Sequence, residues 1–365
     1  MAIAYENNSS ADYIDFVSKL RTFLSSNGWT VTTAGNSGWG AASSFVASRG
    51  LCHVYFGTDE YEETNYYVDA TRQFVDVPRF EMGLGDSAPA DPALIEKFSD
   101  MPGQGDVVSA FRSCMALGQT NGQYSNYHFF DDPVANTFTG VCEALGERYW
   151  QFGFGELQKN GLTHGGATYC TATFNRDYLT GTTSRAIGNN PFQEEFFGCG
   201  RQWAETSTSY GGGGNTQICV PSDGLPVGSG YPEGSGGRMI LSRDSVVAII
   251  NSRNWGPTYR SAYGQWNHFT VGTASEIAGV MPAGGMTPLG AFPIFVGSSG
   301  GKMCYLGDIP NARVCNVAHL PAGAELNYGG EVWKVFPRYI KTDDSLIDQP
   351  FTRTSGNLGF AVRRS

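Results

Sequence analysis

Residues 124–157 read YSNYHFFDDPVANTFTGVCEALGERYWQFGFGEL. Three runs within this stretch, 127–130, 138–145 and 148–154, are rich in Tyr, Phe, Val, Thr and Trp, the residue types that suit a pleated, half-buried surface. Asp131-Asp132-Pro133 separates the first from the second, and Gly146 lies between the second and the third. Asp, Pro and Gly are the residues that punctuate strands with turns. The stretch predicts a succession of short strands, and it sets the expected fold class: mainly β, with sandwich- or barrel-like sheets.

Working toward the N-terminus, residues 11–27 carry a different period. Tyr13, Phe16, Val17, Leu20, Phe23 and Leu24 fall on one helical stripe. Ser9, Ser10 or Asp12 can cap its start, and Gly28 stands where a C′ glycine belongs. Between this helix and the central stretch, residues 44–48 and 52–57 flank Arg49-Gly50 as a predicted hairpin, and 66–77 reads as a further strand. A short helix is predicted from Asp91, with Pro92 at its first position, Leu94, Ile95 and Phe98 as its stripe, and Met101-Pro102-Gly103 as its end.

Toward the C-terminus, residues 204–237 hold Gly211–Gly214 and the stretch GSGYPEGSGG from 228 to 237. This composition predicts a long loop or linker. It divides the chain into an N-terminal β-rich domain, 1–203, and a C-terminal β-rich domain, 238–365. Strands are predicted in the latter at 238–241, 245–250, 292–296, 302–306, 313–317, 331–336 and 358–362.

Composition excludes several function classes. The chain of 365 residues contains 49 Gly, and only 16% of it is charged while 13% is aromatic. Disordered chains have the opposite balance. A net charge of −10 argues against sequence-specific nucleic-acid binding, which needs clustered Lys and Arg. Apolar runs such as 246–250 and 292–296 are far shorter than the ~20 residues of a membrane span. The N-terminal MAIAYENNSS lacks the basic and apolar regions of a secretory signal, so folding in a cytoplasm is expected. Cysteines stand singly at 52, 114, 142, 170, 199, 219, 304 and 315, which in a reducing compartment reads as small buried hydrophobes, although the even number permits disulfides.

Motifs of chemistry are weak. Histidines 53, 128, 164, 268 and 319 lack metal-ligand spacing, and no metal site is expected. Gly297-Ser298-Ser299-Gly300-Gly301 matches the GxSxG nucleophile elbow in letters, but β-prone residues follow where a helix is required. A Gly/Ser hairpin turn accounts for it, and a serine hydrolase using Ser299 is the least favoured function. Gly83-Leu84-Gly85 and Gly153-Phe154-Gly155 begin a dinucleotide fingerprint without completing it; they read as glycines that let aromatic rings pack across a strand, and no cofactor is expected. The acidic pair Asp131-Asp132 and its counterparts do not show the carboxylate separation a glycosidase needs. Trp29, Trp39, Trp203, Trp255, Trp266 and Tyr259 lie in or near polar, Gly-rich segments and could stack on sugars or form interface cores.

Four phrases occur together in order: 149–157 (YWQFGFGEL) followed by Gly165-Gly166, then 292–297 (FPIFVG), 331–337 (EVWKVFP) and 355–361 (SGNLGFA). In this combination the chain resembles a family of virion structural proteins of tailed bacteriophages, over most of its length after residue 125. The resemblance implies a tail, neck (collar) or baseplate component, present in the virion, assembled in the bacterial cytoplasm, and partnered by copies of itself and by other tail, neck or baseplate proteins. It implies no catalytic residue, so no enzyme is expected. Tyr5, Trp203, Tyr210, Tyr231, Trp255, Tyr259, Trp266 and Phe351 are the interface candidates. A receptor- or glycan-binding module that meets host-surface glycan is the alternative from another class.

Overall fold

The computed structural model describes residues 2–35, 44–68, 71–85, 87–96, 100–102, 113–116, 124–144, 148–160, 168–174, 215–221, 238–241, 247–250, 266–268, 289–291, 293–298, 303–317, 319–337 and 358–365. The chain begins with β1 (Ala4–Ser10), helix α1 (Tyr13–Ser26), β2 (Thr30–Thr33), β3 (Phe45–Arg49), β4 (Cys52–Val68), β5 (Thr71–Gly85) and β6 (Ser113–Ala116). It continues with β7 (Tyr124–Asp132), β8 (Thr137–Ala144), β9 (Arg148–Glu156), β10 (Thr168–Phe174), β11 (Asn215–Pro221), β12 (Arg238–Leu241) and β13 (Val247–Ile250). It closes with β14 (Trp266–His268), β15 (Leu289–Gly290), β16 (Pro293–Ser298), β17 (Met303–Asp308), β18 (Ala312–Asn316), β19 (Ala324–Tyr328), β20 (Glu331–Pro337) and β21 (Leu358–Arg363).

These strands build an eight-stranded sheet, β1-β7-β8-β9-β10-β11-β12-β13, and a five-stranded sheet, β2-β3-β4-β5-β6. The C-terminal strands build a second five-stranded sheet, β15-β18-β21-β20-β19, and a three-stranded one, β14-β16-β17. The fold is mainly β, as the sequence predicts.

β7 shows how the layers are arranged. Successive side chains of a strand point to opposite faces. Tyr127 and Phe129 join a core with Phe16, Leu20 and Phe23 of α1 and with Phe45, Val54, Phe56 and Leu84 of the β2–β6 sheet. His128 and Phe130 point the other way, toward Phe336 of β20, with ring centroids 4.9 and 6.3 Å apart. The eight-stranded sheet is therefore covered on both faces at β7. A strand buried on both sides has no polar face to alternate with, which explains the uninterrupted YHFF of the sequence.

Helix α1 forms where the periodicity places it. Asp12 caps it, accepting from the Asp15 amide at 2.8 Å, and Asp15 in turn accepts from the Ala11 amide at 2.9 Å. Its end is a Schellman motif: Trp29 N–H donates to Leu24 O at 3.1 Å and Gly28 N–H to Ser25 O at 3.3 Å. Gly28 sits at φ 87°, a left-handed conformation that glycine adopts without a Cβ penalty. The buried face is Phe16, Val17, Leu20, Phe23 and Leu24, and burial of each of the larger of these contributes about 1.5–3 kcal/mol.

Four sequence expectations need correction. The hairpin turn is Gly50-Leu51, with Arg49 paired to Cys52 as the last strand residue; the Arg49 side chain is held by the bonds described below. Residues 66–77 are not one strand but the tip of the β4–β5 hairpin, with Val68 opposite Thr71. Both arms are β-rich, so composition does not reveal the reversal between them. The helix at Asp91 is a single 3-10 turn, Pro92–Leu94, because Ile95 is already extended and packs with Ala34, Val46, Tyr55 and Met101. The stretch 204–237, read as a loop or linker, contains β11, and β12 and β13 beyond it extend the sheet that β1 begins. β11 is polar at its start, and its pairing with β10, Thr173 opposite Thr216 and Cys170 opposite Cys219, supplies what local sequence does not.

A Cβ on Gly140 of β8 would stand 2.2 Å from the Phe152 ring. The ring lies across this glycine; at Gly85 and Gly155, where the sequence predicts aromatic packing, the nearest atoms are those of Met101 and of Asn136 and Thr137. Gly140→Ala is expected to cost about 1–3 kcal/mol, since overpacking forces a core ring off its rotamer. A shift of the urea midpoint measures it, and an unchanged midpoint refutes the packing role.

Candidate functional site

The most connected polar constellation among the described residues lies at one end of the eight-stranded sheet, where the β3–β4 and β7–β8 turns meet. Asp131 is the last inward-facing residue of β7, and its side chain is 0% exposed, while that of Arg49 is 13% exposed. The Arg49 guanidinium donates from Nη1 to Asp131 Oδ2 at 2.8 Å and from Nη2 to Oδ1 at 3.0 Å. It also donates to Asn27 O at 3.0 Å, to Asp132 O at 3.2 Å and, through Nε, to Asn136 Oδ1. A guanidinium has five N–H donors, and these bonds use them all. Trp29 donates from Nε1 to Asp131 Oδ1 at 2.7 Å, and the guanidinium carbon lies 4.2 Å from the Trp29 ring centroid. The two-pronged fork is a geometry that arginine provides and lysine does not, and the planar guanidinium can stack on the indole while it makes those bonds.

A second tier fixes the turns. Asn136, at φ 55°, donates to Arg49 O at 3.1 Å and to Glu156 Oε1, and Glu156 Oε1 accepts the Leu51 amide at 3.0 Å. Asp132 points to the other face. Its Oδ1 accepts from the Val134 and Ala135 amides at 2.7 and 3.0 Å, and its Oδ2 from Asn311 at 2.6 Å. The adjacent carboxylates thus serve opposite faces and do not work as a pair. Burial pushes the Asp131 carboxyl up from the ordinary range, against the downward pull of the Arg49 and Trp29 hydrogen bonds. Mutually saturated donors and acceptors of this kind hold shape. On the turns they lock, Leu51 is 61% exposed and Val134 is 76% exposed.

The expected site residues fall as follows. Tyr5 is on β1, half-buried within the chain, under Lys334 and Arg364, whose charged groups are 5.5 and 5.0 Å from its ring centroid. Trp266 lies in β14, opposite Ser298. Trp203, Tyr210, Tyr231, Trp255, Tyr259 and Phe351 lie outside the described residues, as does Trp39. Trp29, considered for sugar stacking, is a core residue against Phe154 at 5.0 Å; its position as the C″ residue of the helix cap turns it inward, so it offers no stacking platform. The GxSxG letters join β16 to β17, antiparallel strands with Gly297 opposite Met303, so a strand follows where the elbow needs a helix; Ser299 itself lies outside the described residues. Among the described residues no three His, Cys, Asp or Glu side chains are grouped to hold a metal ion, and no helix is long and apolar enough to cross a membrane.

Sequence reasoning did not single out Arg49, Asn136 or Glu156. One signal was present: counting by twos from Tyr127 places Asp131 on the same face as Phe129, and a carboxylate on a core face requires a partner. Compared with protein-family models and with curated proteins, the chain matches none.

Proposed function

We propose that the chain is a structural subunit of a tailed-bacteriophage particle, forming a homo-oligomeric ring or a tube-associated layer in the tail, neck or baseplate, and assembling in the host cytoplasm with other proteins of those parts. The observation that supports this most is the locked turn end. Two aliphatic side chains, Leu51 and Val134, are held outward on turns whose amides and side chains are tied by Glu156, Asn136, Asp132 and Arg49. A turn backbone that is already ordered loses little entropy when the apolar side chains on it are covered. The four aromatic-glycine phrases and the low charged fraction of 16% support the same reading, since obligate interfaces resemble a domain core cut in half and bury more than about 2,000 Å².

The test is assembly. The full-length protein is expected to form rings or larger closed species in light scattering and negative-stain images, and to sediment with particles. Leu51→Asp with Val134→Asp is expected to shift it toward smaller species while the far-ultraviolet circular dichroism stays unchanged. A monomer at all concentrations that is absent from particles by mass spectrometry overturns the reading. An unchanged assembly in the double variant removes the turn end from the interface.

A further inference from the structure

The second seam of the molecule, between the outer face of β7 and the C-terminal sheet, contains a titratable group at its centre. His128 is 4% exposed. The Phe336 ring faces it from β20 at 4.9 Å, Phe130 stands beside it at 6.3 Å, and Tyr5 stacks on it from β1 at 6.1 Å. Tyr149 of β9 and Phe360 of β21 pack on the same Phe336 at 5.7 and 5.5 Å. The Tyr5 hydroxyl and His128 Nδ1 are 2.9 Å apart.

We propose that His128 is an acid-sensitive latch between the eight-stranded sheet and the C-terminal sheet: neutral, it closes the seam, and protonation opens it. The geometry supplies the reason. In the tautomer protonated at Nε2, the neutral Nδ1 accepts the phenol hydrogen, whereas an imidazolium has only donors and forces the phenol to turn its hydrogen away and accept instead. A charge there is buried among rings, and an unpaired buried charge is costly.

The charged neighbours add to this. Lys334 of β20 and Arg364 beyond β21 already place two cations over Tyr5. Glu325 of β19 pairs with both, at 3.4 and 2.5 Å, so its charge is shared before a third cation appears. Val141 of β8 lies opposite His128, and Glu143 stands two residues further along β8, opposite Asn126. Burial, with a contribution from Lys334, pulls the His128 imidazole down to about 4. Tyr5 is pushed up to about 12, chiefly by burial, so its hydroxyl keeps its proton throughout the range in which histidine titrates.

The direction follows from proton linkage. Histidine in an unfolded or opened chain titrates near 6.5, above its value in the closed seam. The opened state therefore binds more protons below that pH, and closure weakens as pH falls from about 6.5 toward 4. Above pH 7 the contribution is complete. Between pH 7.5 and 4.5 the closing equilibrium is expected to fall roughly 70-fold from this residue alone.

The experiment uses the full chain, as wild type, His128→Phe and His128→Gln. Amide hydrogen exchange at pH 7.5 and 4.5, corrected for the intrinsic pH dependence, is read separately for β20–β21 and for α1. In wild type, protection of β20–β21 is expected to drop by roughly the factor above on acidification, ahead of that of α1, and both variants are expected to lose most of this drop. Should His128→Phe fail to fold, His128→Gln decides. A drop of equal size in the folded variants, or a loss spread equally over β20–β21 and α1, overturns the proposal.

Discussion

Arg49→Met is expected to destabilise the chain by about 3–5 kcal/mol, the cost of leaving one member of a buried ion pair without its partner. Asp131 would retain the Trp29 indole as a donor and lose both guanidinium bonds. Three further acceptors, Asn27 O, Asp132 O and Asn136 Oδ1, would lose their donor in the same step. Methionine keeps much of the apolar stem, so the loss reports the charge and the hydrogen bonds rather than a cavity. Urea unfolding at pH 7 measures it.

The pH dependence of that deficit identifies its cause. Without Arg49, burial acts on the Asp131 carboxyl with less opposition, and its folded-state pKa rises further above the unfolded value near 3.9. An acid whose pKa is raised in the folded state takes up its proton there first. The variant therefore recovers stability relative to wild type as pH falls through that raised value. The double variant Arg49→Met, Asp131→Leu is expected to be more stable than the sum of the two single losses, because neither charge is left behind. Strict additivity refutes the pairing argument.

Phe16→Ala is expected to cost about 3–5 kcal/mol, the usual range for removing a buried phenylalanine. Phe16 is fully buried, and its ring meets Tyr124, Tyr127, Phe129 and Phe152 at centroid distances of 4.9, 5.4, 5.5 and 6.3 Å. Four rings from β7 and β9 cannot all close the gap, since they are also packed on one another, Tyr127 on Phe129 at 4.3 Å among them. Leu51→Ala serves as the control. Its exposed side chain is expected to change stability by no more than about 0.5 kcal/mol, although it belongs to the proposed interface. A Phe16→Ala loss below about 1 kcal/mol would show that α1 is not the lid of this core.

Helix α1 and its glycine terminus were legible because each is a local property, a 3.6-residue stripe and a backbone angle; the cap was legible only as Ser9, Ser10 or Asp12, and the structure selects Asp12. The strands 127–130, 138–145 and 148–154 were legible because β-favouring residue types and the turn residues between them are local too. The hairpin tip inside 66–77 and the strand β11 inside 204–237 were not, because both depend on which segment lies alongside. The site was less legible still. Arg49 looked like a turn residue, and its partners lie 82 and 87 positions away in the chain.

The sequence by itself determined that this chain is mainly β with one amphipathic helix, because side-chain periodicity and turn chemistry act within a few residues. Only the tertiary structure decided that the sheet through YHFF is covered on both faces, that Asp131 is buried against Arg49 and Trp29, and that His128 sits between two sheets. The physical reason is that burial is a property of neighbours. A run of apolar residues states that a strand avoids water, and a distant segment decides what replaces the water.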